Sequence, residues 1–122
     1  NNKIKFIIRI IFFQKFYSLK LKESGFEVEI ASNGEEGLLK LRSAHFDVVL
    51  LDLIMPVKNG FEVLEEISKD YNLKNIPVLV FSTLGQEQDV EKAKSLGAID
   101  YVNKTFFDFD DLLRKIFVVT KT

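Results

Sequence analysis

Val48-Val49-Leu50-Leu51-Asp52-Leu53-Ile54-Met55-Pro56 is the stretch that decides the fold. Its first four residues are apolar and the fifth is a carboxylate. A short, unbroken apolar run of this length fits a strand covered on both faces, the habit of central strands in parallel sheets. Such a strand has no use for a charge until it ends. Asp52 therefore falls at the carboxyl edge of a sheet, where open α/β folds place their ligands, and it is the first residue to suspect of chemistry.

Working outward, strand-like runs occupy residues 4–8, 26–30, 48–52, 78–82 and 101–102. Helical patterns lie between them. Phe13, Tyr17 and Leu21 repeat every fourth residue, with Gly25 as a C-cap. Ser32-Asn33-Gly34-Glu35 has capping-box spacing ahead of Leu38, Leu39 and Leu41. Leu64, Ile67 and Tyr71 mark a third helix from near Asn59. Val90, Ala93 and Leu96 form a narrow stripe on a fourth, ended by Gly97. Phe109, Leu112, Leu113 and Ile116 mark a fifth, with Asp108 as N-cap. Five strands alternating with five helices predict right-handed βαβ units, a parallel sheet and helices on both faces. With short connections and no linker or repeat, residues 1–122 read as a single domain.

Composition agrees. A chain of 122 residues with 47% hydrophobic and 29% charged residues has the make-up of a soluble globular protein. A net charge of -1 asks for neither nucleic acid nor an acidic surface. Without Cys, disulfides and thiolate metal sites are excluded. The N-terminal apolar stretch is interrupted by Lys5 and Arg9 and lacks a small-residue cleavage site, which reads as strand and helix rather than a signal or membrane anchor.

The loop after the first strand, Arg9-Ile10-Ile11-Phe12-Phe13, has none of the Gly, Ser or Thr that would cradle a nucleotide. His45, the only histidine, reads as a solvated turn residue, and zinc ligands are missing. What remains is Asp52, the hydroxyls of Ser82 and Thr83 at the end of the fourth strand, and Lys104 after the fifth. Adjacent parallel strands bring these ends to one edge. The set reads equally as an anion site, with Asp52 as nucleophile toward phosphorus and Lys104 neutralising phosphoryl oxygens, or as a structural Asp–Lys pair.

Several motifs carry a family resemblance: Asn33-Gly34-Glu35-Glu36-Gly37-Leu38, Asp47-Val48-Val49-Leu50-Leu51-Asp52, Met55-Pro56, Asn59-Gly60-Phe61, Ile76-Pro77-Val78, Ser82, Leu96-Gly97-Ala98 and Asp100-Tyr101-Val102-Asn103-Lys104. From about Gly25 to Ile116 the chain resembles a response-regulator receiver domain of two-component signalling, of the chemotaxis-regulator type. The resemblance implies a doubly wound, flavodoxin-like (βα)5 sandwich with strand order 2-1-3-4-5. It implies Asp52 as acceptor of a phosphoryl group from a sensor histidine kinase, Ser82 turning its hydroxyl toward that group, and Lys104 pairing with it. Tyr101 would rotate inward, and the backbone carbonyl of Ile54 would face Mg2+. The output would pass through the fourth helix, fifth strand and fifth helix to a downstream protein, an effector domain or a second copy, without direct nucleic-acid or membrane contact, in the cytoplasm. No enzymatic turnover is implied, and with Ile54 and Leu84 where a water would be positioned, self-dephosphorylation should be slow.

Two positions depart from the family. Thr105 follows Lys104 where many receivers have Pro. More seriously, counting back from Gly25 without gaps puts Ile8 and Arg9 where receivers carry the two acids that hold Mg2+. Residues 1–22 contain six basic side chains and no acidic one. Mg2+ usually draws on one or two carboxylates, so metal affinity should be poor. Three explanations stand. Arg9 could take the metal's place and pair with Asp52, in which case Asp at positions 8 and 9 would restore the site; the strand could be altered in a chain that no longer uses the site; or the domain is a pseudo-receiver, a phosphorylation-independent interaction module.

Overall fold

The computed structural model describes residues 7–13, 15, 17–55, 57–83, 87–105 and 108–121. Its elements alternate as expected: β1 (Arg9–Phe12), α1 (Ser18–Glu23), β2 (Glu27–Ile30), α2 (Gly34–Ser43), β3 (Val48–Leu51), α3 (Gly60–Lys69), β4 (Val78–Ser82), α4 (Glu87–Ser95), β5 (Asp100–Asn103) and α5 (Phe109–Thr120). All pairings are parallel, in the order β2-β1-β3-β4-β5. β3 and β4 are buried along their whole length, which explains why they read as continuous apolar runs rather than as alternation.

Two apolar layers sandwich the sheet. On one face Leu38, Leu64, Ile67 and Ala93 from α2, α3 and α4 pack on Ile11, Val49, Leu51 and Val80. On the other, Leu21 of α1 with Leu112 and Ile116 of α5 covers Ile10, Phe12, Leu50 and Phe81. Gly25 and Gly97 follow α1 and α4 with φ of 100° and 111°, the left-handed turn expected of their spacing. α4 buries only Ala93. Its further hold on α3 is Lys92, whose ammonium lies 4.4 Å from the centre of the Phe61 ring.

Helix starts follow their side-chain chemistry. Asn33, one residue later than the sequence spacing suggests, caps α2 by accepting from the Glu36 N–H. Glu36 accepts from the N–H of Ser32, the residue before the cap. Asn59 and Glu62 form a complete capping box on α3. Asp108 caps α5 as expected.

β1 corrects the sequence reading. The expected strand at residues 4–8 gives way to Arg9–Phe12, hydrogen-bonded between β2 and β3; residues 4–6, with Lys5, lie outside the described residues. The cause is a clasp at the amino edge. Arg9 N–H donates to Asp47 Oδ2 at 2.7 Å, and Asp47 N–H returns to the Arg9 carbonyl at 2.8 Å. The guanidinium donates to the His45 carbonyl and lies 4.8 Å from the Phe46 ring centre. Its Nε stands 3.0 Å from Glu27 Oε1, a charge contact without hydrogen-bond alignment.

As a result, Phe13, expected in the first helix, extends β1 by donating to the Leu50 carbonyl, and α1 begins only at Ser18. The Phe13 ring occupies the space where a Cβ on Gly37 would sit. Phe12 packs edge-on against Phe81 at 5.5 Å between centroids. Replacing Phe12 by Ala, which empties a fully buried aromatic site, is expected to cost about 3–5 kcal/mol of stability in urea unfolding.

Candidate functional site

Asp52 follows β3 directly and, at 6% exposure, is one of the few buried polar residues described. A carboxylate so placed must be satisfied locally, because burying an unpaired charge is costly. Both oxygens are engaged. Oδ1 accepts from the Ile54 N–H at 3.0 Å, and Oδ2 accepts from Lys104 Nζ at 2.6 Å. Lys104 reaches Asp52 because β5 lies two strands away and ends on the same edge. There its own N–H donates to the Ser82 carbonyl at 3.1 Å. The pair is charge-assisted and largely shielded from water.

Ser82 closes β4 and is fully buried, opposite Asn103 of β5. Thr83, the second hydroxyl of the sequence reading, is exposed. The Tyr101 hydroxyl donates to the Ser82 carbonyl at 3.1 Å, so the half-buried phenol is turned toward the strand ends. Burial first, then the carboxylates of Asp89 and Asp52, push its pKa above the ordinary tyrosine value. Asp52, Ser82, Tyr101 and Lys104 thus share one edge. Ile54 is exposed, with its amide turned to Asp52; Leu84 and Pro56 lie outside the described residues.

Ile8 and Arg9 are elsewhere. The Arg9 backbone N–H donates to Asp47, which precedes β3, while Asp52 follows it, so Arg9 and Asp52 lie at opposite edges of the sheet. Roughly five residues of strand separate them, about 16 Å. Arg9 is not the partner of Asp52. With Phe12 opposite Leu50, the carboxyl end of β1 offers Phe12 and Phe13. Sequence reasoning missed this because residues 4–8 and 10–13 are similarly apolar. The complementary charges of Arg9 and Glu27 were the available signal.

This edge does not fit Mg2+. One carboxylate is available, one of its oxygens holds an ammonium, and the neighbouring strand end is aromatic, whereas Mg2+ seeks oxygens in octahedral array. Among the described residues no group of three or more His, Cys, Asp or Glu side chains could hold a metal.

The loop from Asp52 to α3 is tightly held. The Gly60 N–H donates to the Leu53 carbonyl, and a Cβ on Gly60 would stand 2.4 Å from the Asp52 carbonyl oxygen. Val57 adopts φ of 70°, a left-handed conformation costly for a β-branched residue. Val57→Gly is expected to stabilise the fold by about 1 kcal/mol, while Gly60→Ala should destabilise it and disturb Asp52. Thermal unfolding of the two variants checks both signs.

Comparison with known proteins agrees with this geometry. Residues 12–117 match the profile of the response regulator receiver domain. The chain is 38% identical over 96 residues to Protein PilH of Pseudomonas aeruginosa, covering 79% of this chain and 78% of that one. It is 40% identical to the transcriptional regulatory protein CpxR homolog of Haemophilus influenzae, over 80% of this chain but only 41% of that protein. Several other curated relatives are similarly long, and the chain spans about two fifths of them. Among solved structures, the chemotaxis response regulator CheY4 of Vibrio cholerae superposes with a TM-score of 0.83 at 28% identity, covering 93% of this chain and 99% of that one. The receiver domain of sensor histidine kinase PA1611 from Pseudomonas aeruginosa, which carries a magnesium ion coordinated in its active-site cleft, superposes at 0.81 with 20% identity, covering 95% and 99%. No helix among the described residues is long and apolar enough to cross a membrane. The chain belongs to the response regulator receiver domain family of two-component signalling.

Proposed function

We propose that Asp52 is the phosphoacceptor of this receiver. A carboxylate oxygen of Asp52 attacks the phosphorus of a kinase phosphohistidine, the P–N bond breaks, and the imidazole leaves and regains its proton. Lys104 neutralises the transferred group and the Ser82 hydroxyl hydrogen-bonds to it. Tyr101 carries the change to α4, β5 and α5, the surface that meets a downstream protein or effector domain. The observation that carries this reading is the 2.6 Å contact between Lys104 Nζ and Asp52 Oδ2, on an edge shared with Ser82 and Tyr101. Receiver domains are signalling domains rather than classical enzymes, and a cytoplasmic place beside the kinase follows from the role.

Labelling with acetyl phosphate, followed by intact-mass measurement, tests the assignment. Asp52 should gain one phosphoryl group, and Asp52→Asn should gain none. Because Asp52 offers Mg2+ a single carboxylate already held by Lys104, labelling should run on the order of a hundredfold slower than in a receiver with an acidic β1 end. Label that persists in Asp52→Asn would overturn the assignment. A complete lack of label would favour the pseudo-receiver, a module that works by binding alone.

Mg2+ titration should show no saturable binding at cellular concentrations. The double variant Ile8→Asp and Arg9→Asp should not change this, since both positions lie away from Asp52. It should instead cost about 3 kcal/mol of stability, because a carboxylate would replace the buried Ile8 side chain and the Arg9 guanidinium contacts are lost. A gain of Mg2+ affinity in that variant would mean that β1 adopts the other register.

A further inference from the structure

The loop between Asp52 and α3 carries a cluster of charges that the chemistry at Asp52 does not use. Lys58, two residues before α3, has a side chain only 22% exposed. Its ammonium lies 2.8 Å from Glu35 Oε1, in the first turn of α2, and donates to Glu66 of α3. Hydrogen bonds to the two carboxylates, Glu35 first, push its pKa above the ordinary lysine value. Glu66 in turn meets Arg42 of α2 at 3.6 Å, and Arg42 meets Asp70 at 3.3 Å. An isolated surface pair contributes little, but Lys58 is sheltered and its partners continue into a network of alternating charge.

Arg42 already ties α2 to α3. Lys58 belongs to neither helix, so its contacts add something else: they fix the loop. The backbone agrees. A Cβ on Gly34 would stand 2.6 Å from the Lys58 carbonyl oxygen, so the loop lies directly on the start of α2. Val57, beside Lys58, keeps a φ of 70°, and a β-branched residue stays left-handed only where its surroundings over-determine it. At the other end of the loop the Leu53 carbonyl accepts from the Gly60 N–H, and the next residue, Ile54, turns its N–H to Asp52 Oδ1 at 3.0 Å. Release of Lys58 would let Val57 relax toward an ordinary conformation and would loosen Ile54.

We propose that Lys58 is a positioning residue for Asp52: held between Glu35 and Glu66, it keeps the loop in the shape that aims the Ile54 N–H at Oδ1. A carboxylate held in one orientation meets a phosphorus along one path, whereas a loosened one must be reordered at each encounter. The effect on labelling rests on Asp52 as phosphoacceptor. The effect on the Ile54 amide does not.

Amide hydrogen exchange followed by NMR on the intact chain, with the fully buried Leu50 of β3 as the reference for global unfolding, tests the proposal. Lys58→Met should speed exchange at Ile54 about tenfold more than at Leu50, and acetyl phosphate should label this variant severalfold more slowly than the wild type. Lys58→Arg, which keeps the charge, should restore both. Lys69→Met, which breaks the exposed Lys69–Glu65 pair on α3, should change neither. Should Lys58→Met fail to fold, Glu35→Gln with Glu66→Gln weakens the same contacts and is read in its place. Equal acceleration at Ile54 and Leu50 marks a purely structural pair and overturns the proposal. So does unchanged exchange at Ile54, a loss that Lys58→Arg does not restore, or a matching effect of Lys69→Met. Labelling at the wild-type rate despite a loosened Ile54 overturns it too. A wild type that takes no label counts against Asp52 as acceptor, and the Ile54 comparison then decides for or against Lys58 by itself.

Discussion

Burial of the Asp52 carboxylate is the constraint on which the site depends. β3 is covered on both faces, so the first polar residue after it emerges with little water around it. A charge there is tolerated only with a partner of opposite sign and hydrogen bonds on both oxygens. Lys104 and the Ile54 amide supply them. Each demands something further. Lys104 must leave β5 on the same edge, which the parallel order β3-β4-β5 ensures, and its backbone is held by the Ser82 carbonyl that also receives the Tyr101 hydroxyl. The Ile54 amide turns back because Gly60 lets α3 approach the Asp52 backbone where no side chain would fit. Asp52, Tyr101 and the ends of β3, β4 and β5 are thereby joined by one set of contacts.

The opposite edge sets what the remaining side of the site looks like. Arg9 is tied to Asp47, Glu27, the His45 carbonyl and the Phe46 ring. Since strand pairing propagates residue by residue, an anchor at one end determines which residues stand at the other. Here they are Phe12 and Phe13, whose rings join the two core layers on either face of the sheet. These rings consolidate the core, and Asp52 is the buried carboxylate among the described residues.

Much of this was legible in the chain. The apolar runs ending in Asp52 and Ser82, the glycines after α1 and α4, and the Asp108 cap determine an alternating α/β fold, because burial on both faces and left-handed turns leave strong local marks. The Asp52, Ser82, Tyr101 and Lys104 set was legible too, since strand ends in a parallel sheet converge on one edge. The position of β1 was not. Residues 4–8 and 9–12 are both mainly apolar, with Lys5 in the one and Arg9 in the other, and a strand buried on both faces lacks the alternation that would distinguish one register from another. Tertiary contacts alone decided it. Arg9 finds Asp47, Glu27 and Phe46 only once β1, β2 and β3 lie side by side, and that choice moved Arg9 to the far edge and placed Phe12 and Phe13 near Asp52.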